Sequence, residues 1–239
     1  AVVVNVNPLY TSRELRHTLK DSGAKTLVIC KNFAHTFEVI AESSSVEHVV
    51  LTGLGDLLGL KGTVINLVVK YIKKMVPKYH LPSSISFKQA LRIGEHKPLE
   101  PVVLTVEDLA FLQYTGGTTG PSKGAELTHG NLLANANQFR EWIKSIVVTG
   151  EDVAVTPLPL YHIFSLTVCC ISYIGLGAEC MLITNPRDIP GFIKILKNRM
   201  GSFIVGINTL YNALAMHPDI NDVDFSNLKF CGSGGMATQ

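Results

Sequence analysis

Charged residues are scarce in this sequence, and neither sign of charge dominates. Only 17% of the 239 residues are charged, against roughly 25% in an average soluble domain. With 21 lysines and arginines and 19 acidic residues, the net charge of +2 is too small to indicate a nucleic-acid partner. Disorder is excluded as well, because 46% of the residues are apolar and a chain of this length can bury a sizeable core.

Cysteine is also uncommon, and its spacing matches neither a zinc site nor a disulfide framework. The five cysteines, none in C-x-x-C spacing, are Cys30, Cys169, Cys170, Cys180 and Cys231. An odd number within apolar runs is typical of reduced core thiols. We therefore expect a cytoplasmic protein without structural zinc or disulfides.

The sequence has no apolar run long enough for a transmembrane helix. Its longest uncharged stretch, residues 153–178, is interrupted by two prolines and two glycines. The most apolar part, residues 163–178, is shorter than the ~20 residues that a bilayer requires. This stretch therefore predicts a core strand followed by a buried helix.

Acidic residues are missing altogether from residues 57–94. The seven basic residues of the same stretch are Lys61, Lys70, Lys73, Lys74, Lys78, Lys88 and Arg92. Hydrophobic spacing predicts a helix here whose apolar face comprises Ile65, Val68, Val69, Ile72, Met75 and Val76. Its other face carries Lys70, Lys73 and Lys74. Such a helix suits an anionic membrane, with the protein peripheral on the inner face, but a surface helix with solvated lysines has the same pattern.

Strand-length apolar runs alternate with helical stretches along the chain, which favours an α/β fold built on parallel sheets. We expect residues 1–100 to form a first subdomain, a βαβαβ unit with the basic helical insertion at about 61–92. Residues 101–239 would form a second α/β subdomain that carries a glycine-rich loop. The chain begins within an apolar run and ends just after a glycine cluster, so we expect it to be part of a longer protein.

The same pattern predicts individual elements. A capping box at Thr11 and Glu14 opens a helix that ends near Asp21, with Gly23 as its stop. Strands are predicted at residues 2–6, 26–30, 48–51, 109–114, 153–156, 181–184, 203–205 and 229–231. Further helices are predicted at residues 32–42, 128–142, 189–199 and 209–216.

The most informative segment is the glycine-rich loop directly after the predicted strand 109–114. It comprises Tyr114, Thr115, Gly116, Gly117, Thr118, Thr119, Gly120, Pro121, Ser122, Lys123, Gly124 and Ala125. Its glycines let several backbone N–H groups converge on an anion. The hydroxyls of Thr118 and Thr119 and the charge of Lys123 suit a phosphate or a phosphate-bound magnesium ion. The P-loop and the G-x-G-x-x-G fingerprint both differ from this pattern, so the segment predicts another kind of phosphate-binding loop.

This loop resembles the phosphate-binding motif of the adenylate-forming superfamily, usually written [Y/L]-T-S-G-T-T-G-x-P-K-G. Gly116 stands where Ser is common, and Ser122 stands where Pro often precedes the lysine. Within the superfamily the chain resembles bacterial long-chain fatty acid:CoA ligases over nearly its whole length. The segments that carry this resemblance are VNVNPLY at 4–10, LQ at 112–113, PLPLYHIF at 157–164 and ITNPRDIP at 183–190.

The resemblance implies a two-step reaction on a fatty acid, with ATP, Mg²⁺ and CoA as the other reactants. The carboxylate attacks the α-phosphorus of ATP and releases pyrophosphate, and the CoA thiol then displaces AMP from the acyl-AMP. It also implies that residues 115–120 and Lys123 hold the β- and γ-phosphates, with Thr118 as magnesium ligand. In this reading Lys123, Thr118 and His162 are the catalytic residues.

Two further segments match the family's nucleotide and carboxylate site. His162 follows a predicted strand end and corresponds to a position near the carboxylate and the α-phosphate. A positioning role is favoured over proton transfer there, since the carboxylate is already ionised; a purely structural histidine is the alternative. Gly234, Gly235 and Met236 correspond to the segment that packs on the adenine ring, and an ordinary turn is their alternative.

A third segment resembles the lining of the family's acyl tunnel. Its residues are Gly206, Ile207, Asn208 and Thr209, for which ordinary core packing is the alternative. The family's later motifs are missing from these residues: the Gly-Tyr-Gly-x-Thr-Glu stretch that completes the magnesium site, the ribose-binding Asp, the hinge, and the C-terminal domain with its catalytic Lys. We therefore expect the chain alone to bind nucleotide weakly and to turn over slowly or not at all.

Two other functions remain open at this point. The phosphate loop is shared by enzymes that activate acetate, aryl acids and amino acids, so the substrate could be another carboxylate. The basic insertion would also suit a membrane-surface interaction module, in which Lys70, Lys73 and Lys74 contact lipid headgroups.

Overall fold

The computed structural model describes residues 1–115 and 121–235 and divides the chain into two compact units. Unit 1 consists of Ala1–Thr105 and Leu109–Glu126. Unit 2 consists of Val106–Asp108 and the chain from Leu127 onward. The expected boundary near residue 100 is therefore wrong for the phosphate-loop region, whose flanking strands belong to the first unit.

In the described residues, unit 1 has two three-stranded sheets, with strand orders β1-β5-β6 and β2-β3-β4. The strands are β1 (Val3–Asn5), β2 (Thr26–Cys30), β3 (His48–Thr52), β4 (Ile85–Ser86), β5 (Leu109–Thr115) and β6 (Lys123–Thr128). The helices are α1 (Ser12–Ser22), α2 (Ala34–Glu38), α3 (Gly59–Leu67) and α4 (Phe87–Glu95). A 3-10 turn lies at Ala41–Ser43, and a π-helical turn at Val68–Ile72 continues α3.

The first hundred residues do not form a single βαβαβ unit. β1 pairs in parallel with β5, with Asn5 opposite Gln113, whereas β2, β3 and β4 form a separate parallel sheet. Asn5 Nδ2 donates a hydrogen bond to Gln113 Oε1 at 3.3 Å, across 108 residues of sequence. Local hydrophobic patterns carry no information about a pairing between strands so far apart, which is why the expected topology was wrong.

Helix α1 begins and ends where its capping residues predict. Thr11 Oγ1 accepts from the Glu14 N–H at 3.3 Å, and the Glu14 carboxylate accepts from the Thr11 N–H at 2.8 Å. The Thr11 hydroxyl also donates to the Glu14 carboxylate at 2.7 Å, and this bond, together with the bond from the Thr11 N–H, lowers the pKa of Glu14. Gly23 ends the helix with φ of +63°, a left-handed conformation that glycine adopts without strain. The buried face of α1 packs against Leu27 of β2 and Phe37 of α2.

The basic insertion is helical but shorter than the sequence predicts. Ile65, Val68, Val69 and Val76 are half-buried, as expected for a packed face. Ile72 and Met75, predicted on the same face, are 71% and 55% exposed. Ile72 is the last residue of the π-helical turn, and Lys74 then adopts a positive φ of 51°, so Met75 lies beyond the helix.

Unit 2 is built on one parallel sheet with the strand order β10-β9-β7-β8. Its strands are β7 (Val153–Thr156), β8 (Glu179–Leu182), β9 (Phe203–Gly206) and β10 (Phe230–Ser233). Its helices are α5 (His129–Ile143), α6 (Ile163–Ser165), α7 (Tyr173–Gly175), α8 (Ile189–Asn198) and α9 (Asn208–Ala215). A π-helical stretch, Leu166–Ser172, joins α6 to α7, and a 3-10 helix lies at Pro218–Asp222.

Both faces of the unit 2 sheet are covered by helices, which explains its continuous apolar strands. On one face, Val155 and Ile204 pack against Phe192 of α8 and Leu210 of α9. On the other face, the strand residues Ala154 and Phe203 pack against helical residues. These are Ile143 of α5, Cys169 of the π-helical stretch and Tyr173 of α7. The strand and buried helix expected at residues 153–178 are therefore confirmed. Within the described ranges, no helix combines the length and apolarity needed to cross a bilayer.

Most predicted boundaries agree with the structure to within two residues, but β8 is shifted, one helix is split, and β4, α4 and β6 were not predicted as separate elements. Strand β8 lies two residues earlier than predicted, because Gly177 turns the chain at φ of +72° and the Glu179 N–H then bonds the Asp152 carbonyl. The predicted helix 32–42 is split into α2 and a 3-10 turn. Strand β6, whose sequence KGAELT has few strand-forming residues, was not predicted at all.

A buried carboxylate ties the starting ends of β7 and β10 together. Asp152 is 3% exposed and pairs with Lys229 at 2.8 Å. Burial opposes ionisation of this carboxyl, but hydrogen bonds from Lys229, Ser202 and the Val148 N–H outweigh it and lower its pKa. The pair therefore stays charged and aligns the strands at the end opposite the predicted site.

Candidate active site

The centre of the predicted phosphate loop lies outside the described residues. It comprises Gly116, Gly117, Thr118, Thr119 and Gly120, and Met236 lies outside them too. Both flanks of the loop are described: β5 ends at Thr115, and β6 begins at Lys123. The remaining predicted loop residues on these flanks are Tyr114, Pro121, Ser122, Gly124 and Ala125.

Helix α1 holds both flanks of the loop. The Tyr114 hydroxyl donates to Asp21 Oδ2 at 2.6 Å, and His17 Nε2 donates to the Ser122 carbonyl at 2.7 Å. Tyr114 is buried, and this burial, together with the bond to Asp21, raises its pKa well above the usual range. The phenol therefore remains a hydrogen-bond donor at neutral pH.

Close packing also constrains the second flank. A Cβ atom on Gly124 would lie 3.0 Å from Cζ of Tyr114, which is too close for a side chain without rearrangement. The next residue back, Lys123, is exposed. None of the ion pairs formed within residues 1–115 and 121–235 involves Lys123. Its ammonium group is therefore not paired with a carboxylate of these residues.

His17 and Asp21 hold the flanks of the predicted loop, and the sequence analysis did not identify them. They lie four apart on α1 and so face the same side of the helix. That spacing was visible in the sequence, but their partners lie 105 and 93 residues away. Only the tertiary structure connects them to the loop.

In unit 2, the predicted site residues gather at one edge of the sheet. The carboxyl ends of parallel strands lie on the same side, and ligands of such sheets bind there. β9 ends at Gly206 and β10 at Ser233. The Gly234 N–H donates to the Gly206 carbonyl at 3.4 Å, and Ser233 Oγ donates to Asn208 Oδ1 at 3.2 Å. The structure thus brings the predicted tunnel segment and the predicted adenine segment into contact.

Close contacts or backbone conformation disfavour a side chain at three glycines of this edge. A Cβ atom on Gly234 would lie 2.7 Å from the Phe164 ring, and one on Gly206 would lie 3.0 Å from the Tyr211 ring. Gly235 has φ of +82°, which favours glycine. Tyr211, which sequence reasoning missed, donates its hydroxyl to the Gly232 carbonyl at 2.6 Å and so links β10 to the helix that follows β9.

His162 caps the first turn of α6 at the end of the segment that leaves β7. Its Nδ1 accepts from the Phe164 N–H at 3.3 Å, and the side chain is exposed. The capping bond gives this histidine a structural role and also fixes the ring. Because Nδ1 is occupied as an acceptor, Nε2 is the nitrogen that carries the proton in the neutral ring and is directed away from that bond.

A cavity of about 490 Å³ opens at the same edge of the unit 2 sheet. Its lining includes Ile207 and Thr209 of the predicted tunnel segment, together with Ala213 of α9. Prolines and aliphatic side chains form most of the remaining wall, and Arg187 is the charged residue in the lining. This volume lies within the usual range for small-molecule sites, and the apolar wall suits an alkyl or aryl group.

The described residues contain no group of three or more His, Cys, Asp and Glu side chains that could hold a metal ion. The predicted magnesium ligand, Thr118, lies outside the described residues. Of the predicted site, the structure therefore places the loop flanks in unit 1. It places His162, the segment 206–209, and Gly234 with Gly235 in unit 2.

A family model described as AMP-binding enzyme matches residues 1–239. The long-chain-fatty-acid–CoA ligase of Salmonella typhimurium is 53% identical over 239 residues, covering 100% of this chain and 43% of that protein. The protein of the same name from Escherichia coli O6:H1 is 54% identical, with the same coverage. The chain thus spans less than half the length of these relatives.

Solved structures agree with the fold. A long-chain-fatty-acid–CoA ligase from Archaeoglobus fulgidus matches with a TM-score of 0.69 at 26% identity, covering 99% of this chain and 41% of that one. An anthranilate CoA ligase in complex with anthranoyl-AMP matches with a TM-score of 0.77 at 21% identity, covering 99% and 41%; at this identity the likeness concerns the fold alone. The expected α/β fold of an adenylate-forming enzyme is confirmed.

The bond between Tyr114 and Asp21 can be tested by a single substitution. We expect Tyr114→Phe to lower the free energy of unfolding by about 1–2 kcal/mol, since it removes a hydrogen bond to a charged group from a buried side chain. Urea denaturation measures this change. Tyr71→Phe is the matched control, because Tyr71 is 63% exposed; its stability should change by less than about 0.5 kcal/mol. Equal stability of the two variants would contradict the anchoring of the loop by α1.

Proposed function

Because the chain belongs to the AMP-binding enzyme family, we propose that the protein is a long-chain fatty acid:CoA ligase that works through an acyl-AMP intermediate. The observation that carries the proposal is the edge of the unit 2 sheet, where an apolar cavity shares Ile207 and Thr209 with the segment that contacts Ser233 and Gly234. An acyl chain and an adenine ring can be held side by side there. The relatives, at 53% and 54% identity, support the fatty acid as substrate class.

The proposed first step joins the fatty acid to AMP. A carboxylate oxygen attacks the α-phosphorus of ATP, the bond between that phosphorus and the oxygen bridging to the β-phosphorus breaks, and pyrophosphate leaves. In the second step the CoA sulfur attacks the acyl carbonyl carbon, the carbonyl–phosphate bond breaks, and AMP leaves. Both steps depend mainly on positioning the reactants and stabilising negative charge.

In this proposal the phosphate groups of ATP are held by residues 115–120 and Lys123. Lys123 fits the role because it is exposed and forms no ion pair with another described residue. Helix α1 positions both flanks of the loop through Asp21 and His17. Thr118 is the proposed ligand of the magnesium ion that accompanies ATP and neutralises phosphate charge.

The acyl and adenine groups are assigned to unit 2. Gly234, Gly235 and Met236 are proposed to lie against the adenine, and Gly206 to Thr209 to border the acyl chain. His162 is proposed to position the carboxylate near the α-phosphate. Its ring is already oriented by the bond from the Phe164 N–H, so Nε2 can donate to an anionic oxygen without a change of rotamer.

ATP–pyrophosphate exchange tests this function on the protein at its full length. We expect exchange with hexadecanoate and little with octanoate, acetate or amino acids. Lys123→Ala should lower the exchange rate by on the order of 100-fold or more, because charge stabilisation of the phosphates is lost. The 239 residues alone should exchange weakly or not at all.

Lys97→Ala is the control for this experiment. Lys97 is exposed and lies outside the loop, so its removal should change the rate by less than about twofold. Exchange with a different acid would keep the adenylation chemistry and reject the fatty acid as substrate. Absence of exchange with every acid would reject the adenylation reaction itself.

The cavity at the unit 2 edge generates a separate prediction about chain length. Ala213→Phe places a ring in the cavity lined by Ala213, so kcat/KM for hexadecanoate should fall by about tenfold relative to octanoate. Ala215→Phe is the matched control, since Ala215 lies on the same helix but is exposed and outside the lining. Equal chain-length profiles for the two variants would mean that the acyl chain does not enter this cavity.

A second function, contact with an anionic membrane, is favoured by the exposed face of the basic insertion. Leu60, Val64, Leu67 and Tyr71 follow one another at helical spacing and are 89%, 60%, 51% and 63% exposed. Lysines flank this stripe, and Lys70 Nζ lies 5.1 Å from the centre of the Tyr71 ring. An apolar stripe bordered by lysines is typical of helices that lie in a membrane interface. We therefore propose that the protein binds peripherally to an anionic membrane.

Vesicle sedimentation tests the membrane contact. Exchanging Lys70, Lys73 and Lys74 for Glu should weaken binding to phosphatidylglycerol-containing vesicles by more than about 100-fold, since each basic residue near such a surface contributes about 1 kcal/mol. Exchanging Lys20, Lys144 and Lys194 for Glu changes the net charge equally and should have little effect. Binding that responds to both triple variants alike would reject a specific role for the insertion.

A further inference from the structure

A second large cavity lies in unit 1, and none of the residues assigned to fatty acid activation is part of its lining. Its volume is about 790 Å³. Four lysines line it: Lys31, Lys70, Lys78 and Lys88. They come from three different parts of the chain, so the charge concentration is a product of folding and not only of the acid-free stretch 57–94.

The cavity lies at the carboxyl edge of the β2-β3-β4 sheet, the edge at which parallel sheets bind ligands. Lys31 directly follows β2, and the loop from Gly53 to Asp56 directly follows β3. Lys88 lies in the first turn of α4, directly after β4. Ser86 caps that helix by accepting from the Gln89 N–H at 3.2 Å, and the positive end of the helix faces the same edge of the sheet.

The carboxylate in the lining is already occupied by its own loop. Asp56 accepts from the Gly53 N–H and from Asn66 Nδ2, both at 2.8 Å. Burial opposes its ionisation, but these bonds and the nearby charge of Lys31 outweigh burial and lower its pKa. Asp56 therefore stays charged and fixes the wall of the cavity, and one carboxylate faces four ammonium groups.

The positive charge is not neutralised by other parts of the described chain. None of the ion pairs formed between described residues includes Lys31, Lys70, Lys78 or Lys88. Tyr79 adds a phenol to the lining, and burial raises its pKa despite the opposing charge of Lys70, so it remains a donor. The cavity presents cationic and neutral donors and suits an anion with more than one negative charge.

We propose that this cavity binds a phosphate-bearing ligand through Lys31, Lys70, Lys78 and Lys88. The phosphate comes either from a soluble phosphorylated compound or from the headgroup of an anionic phospholipid. The site is separate from the proposed phosphate loop at residues 115–124, and it does not depend on the fatty acid ligase function. A headgroup bound here would differ from the contact of the exposed stripe, because Lys31 and Lys88 lie outside the α3 helix.

Lysine acetylation followed by mass spectrometry tests the site residue by residue. In the first arm, the full-length protein is acetylated in sodium pyrophosphate and, for comparison, in sodium chloride of equal ionic strength. In the second arm, it is acetylated in the presence of phosphatidylcholine vesicles with and without phosphatidylglycerol. Only the neutral amine reacts, and a bound phosphate favours the ammonium form, so acetylation of the four lysines should slow by about tenfold. Lys61 and Lys73, outside the lining, should react at unchanged rates in pyrophosphate.

The two sources are distinguished by the pattern of protection. Protection of Lys31, Lys78 and Lys88 by pyrophosphate supports a soluble ligand. Protection of the same lysines only by phosphatidylglycerol vesicles supports a lipid headgroup. Protection that spares Lys31 and Lys88 in both arms overturns the proposal, even where the exposed helix itself binds vesicles. Uniform slowing of all lysines, including Lys61 and Lys73, also overturns it.

A pair of double variants gives an independent measurement. Pyrophosphate binding is measured by calorimetric titration of variants that also carry Lys123→Ala. This substitution removes the main cation of the proposed phosphate loop, so that binding at the loop contributes less to the signal. Lys31→Gln with Lys88→Gln should weaken binding by about tenfold or more, since two charge-assisted contacts are lost. Lys61→Gln with Lys73→Gln removes the same charge outside the cavity and should change the affinity by less than about twofold. Equal effects of the two double variants would reject the site.

Discussion

The carboxyl ends of parallel strands all lie at the same edge of a sheet. This constraint determines where most of the proposed binding residues of the protein lie. A parallel connection must return to the starting edge before the next strand begins, so the segments that follow the strands converge at the carboxyl edge. In unit 2 this brings the residues after β9 and β10 into hydrogen-bonding contact and leaves an apolar cavity beside them. In unit 1 the same constraint gathers lysines after β2 and β4 around a second cavity.

The two edges differ in chemistry because their lining residues differ, not because the folds differ. At the unit 2 edge, prolines and aliphatic side chains form an apolar wall, and glycines let aromatic rings and backbone approach closely. At the unit 1 edge, four lysines face one carboxylate that its own loop has already satisfied. An alkyl chain is favoured at the first edge and a phosphate at the second. One architecture thus supports a proposed acyl site and a proposed anion site in the same chain.

Rigid neighbours position the segments that flank these edges. The predicted phosphate loop is rich in glycine, and both of its described flanks contact α1. Tyr114 and Ser122 are both held by α1, and α1 is capped at Thr11 and Gly23 and packed through its buried leucines. In unit 2, the buried pair of Asp152 and Lys229 aligns two strands at the opposite end. Precise sites on loops require this kind of support from regular elements.

Much of the fold and the chemical character of the site followed from the sequence alone. The capping box at Thr11, the buried strands 26–30 and 153–156, and the loop of glycines, threonines and Lys123 all depend on residues close together in the chain. Local patterns report local backbone preference and the type of chemistry available, which is why the α/β class and the family could be predicted, whereas the phosphate-binding role of the loop stays a prediction.

Tertiary structure decided which distant residues meet. Several contacts join residues that are far apart in sequence. β1 pairs with β5, Asp21 and His17 form hydrogen bonds with the loop flanks, and Lys31 and Lys88 line the same cavity. Strand β6 depends on its neighbour β5 and lacks strand-forming residues of its own. Such pairings are selected by the total burial and hydrogen bonding of the folded chain, and no short window of sequence contains that information.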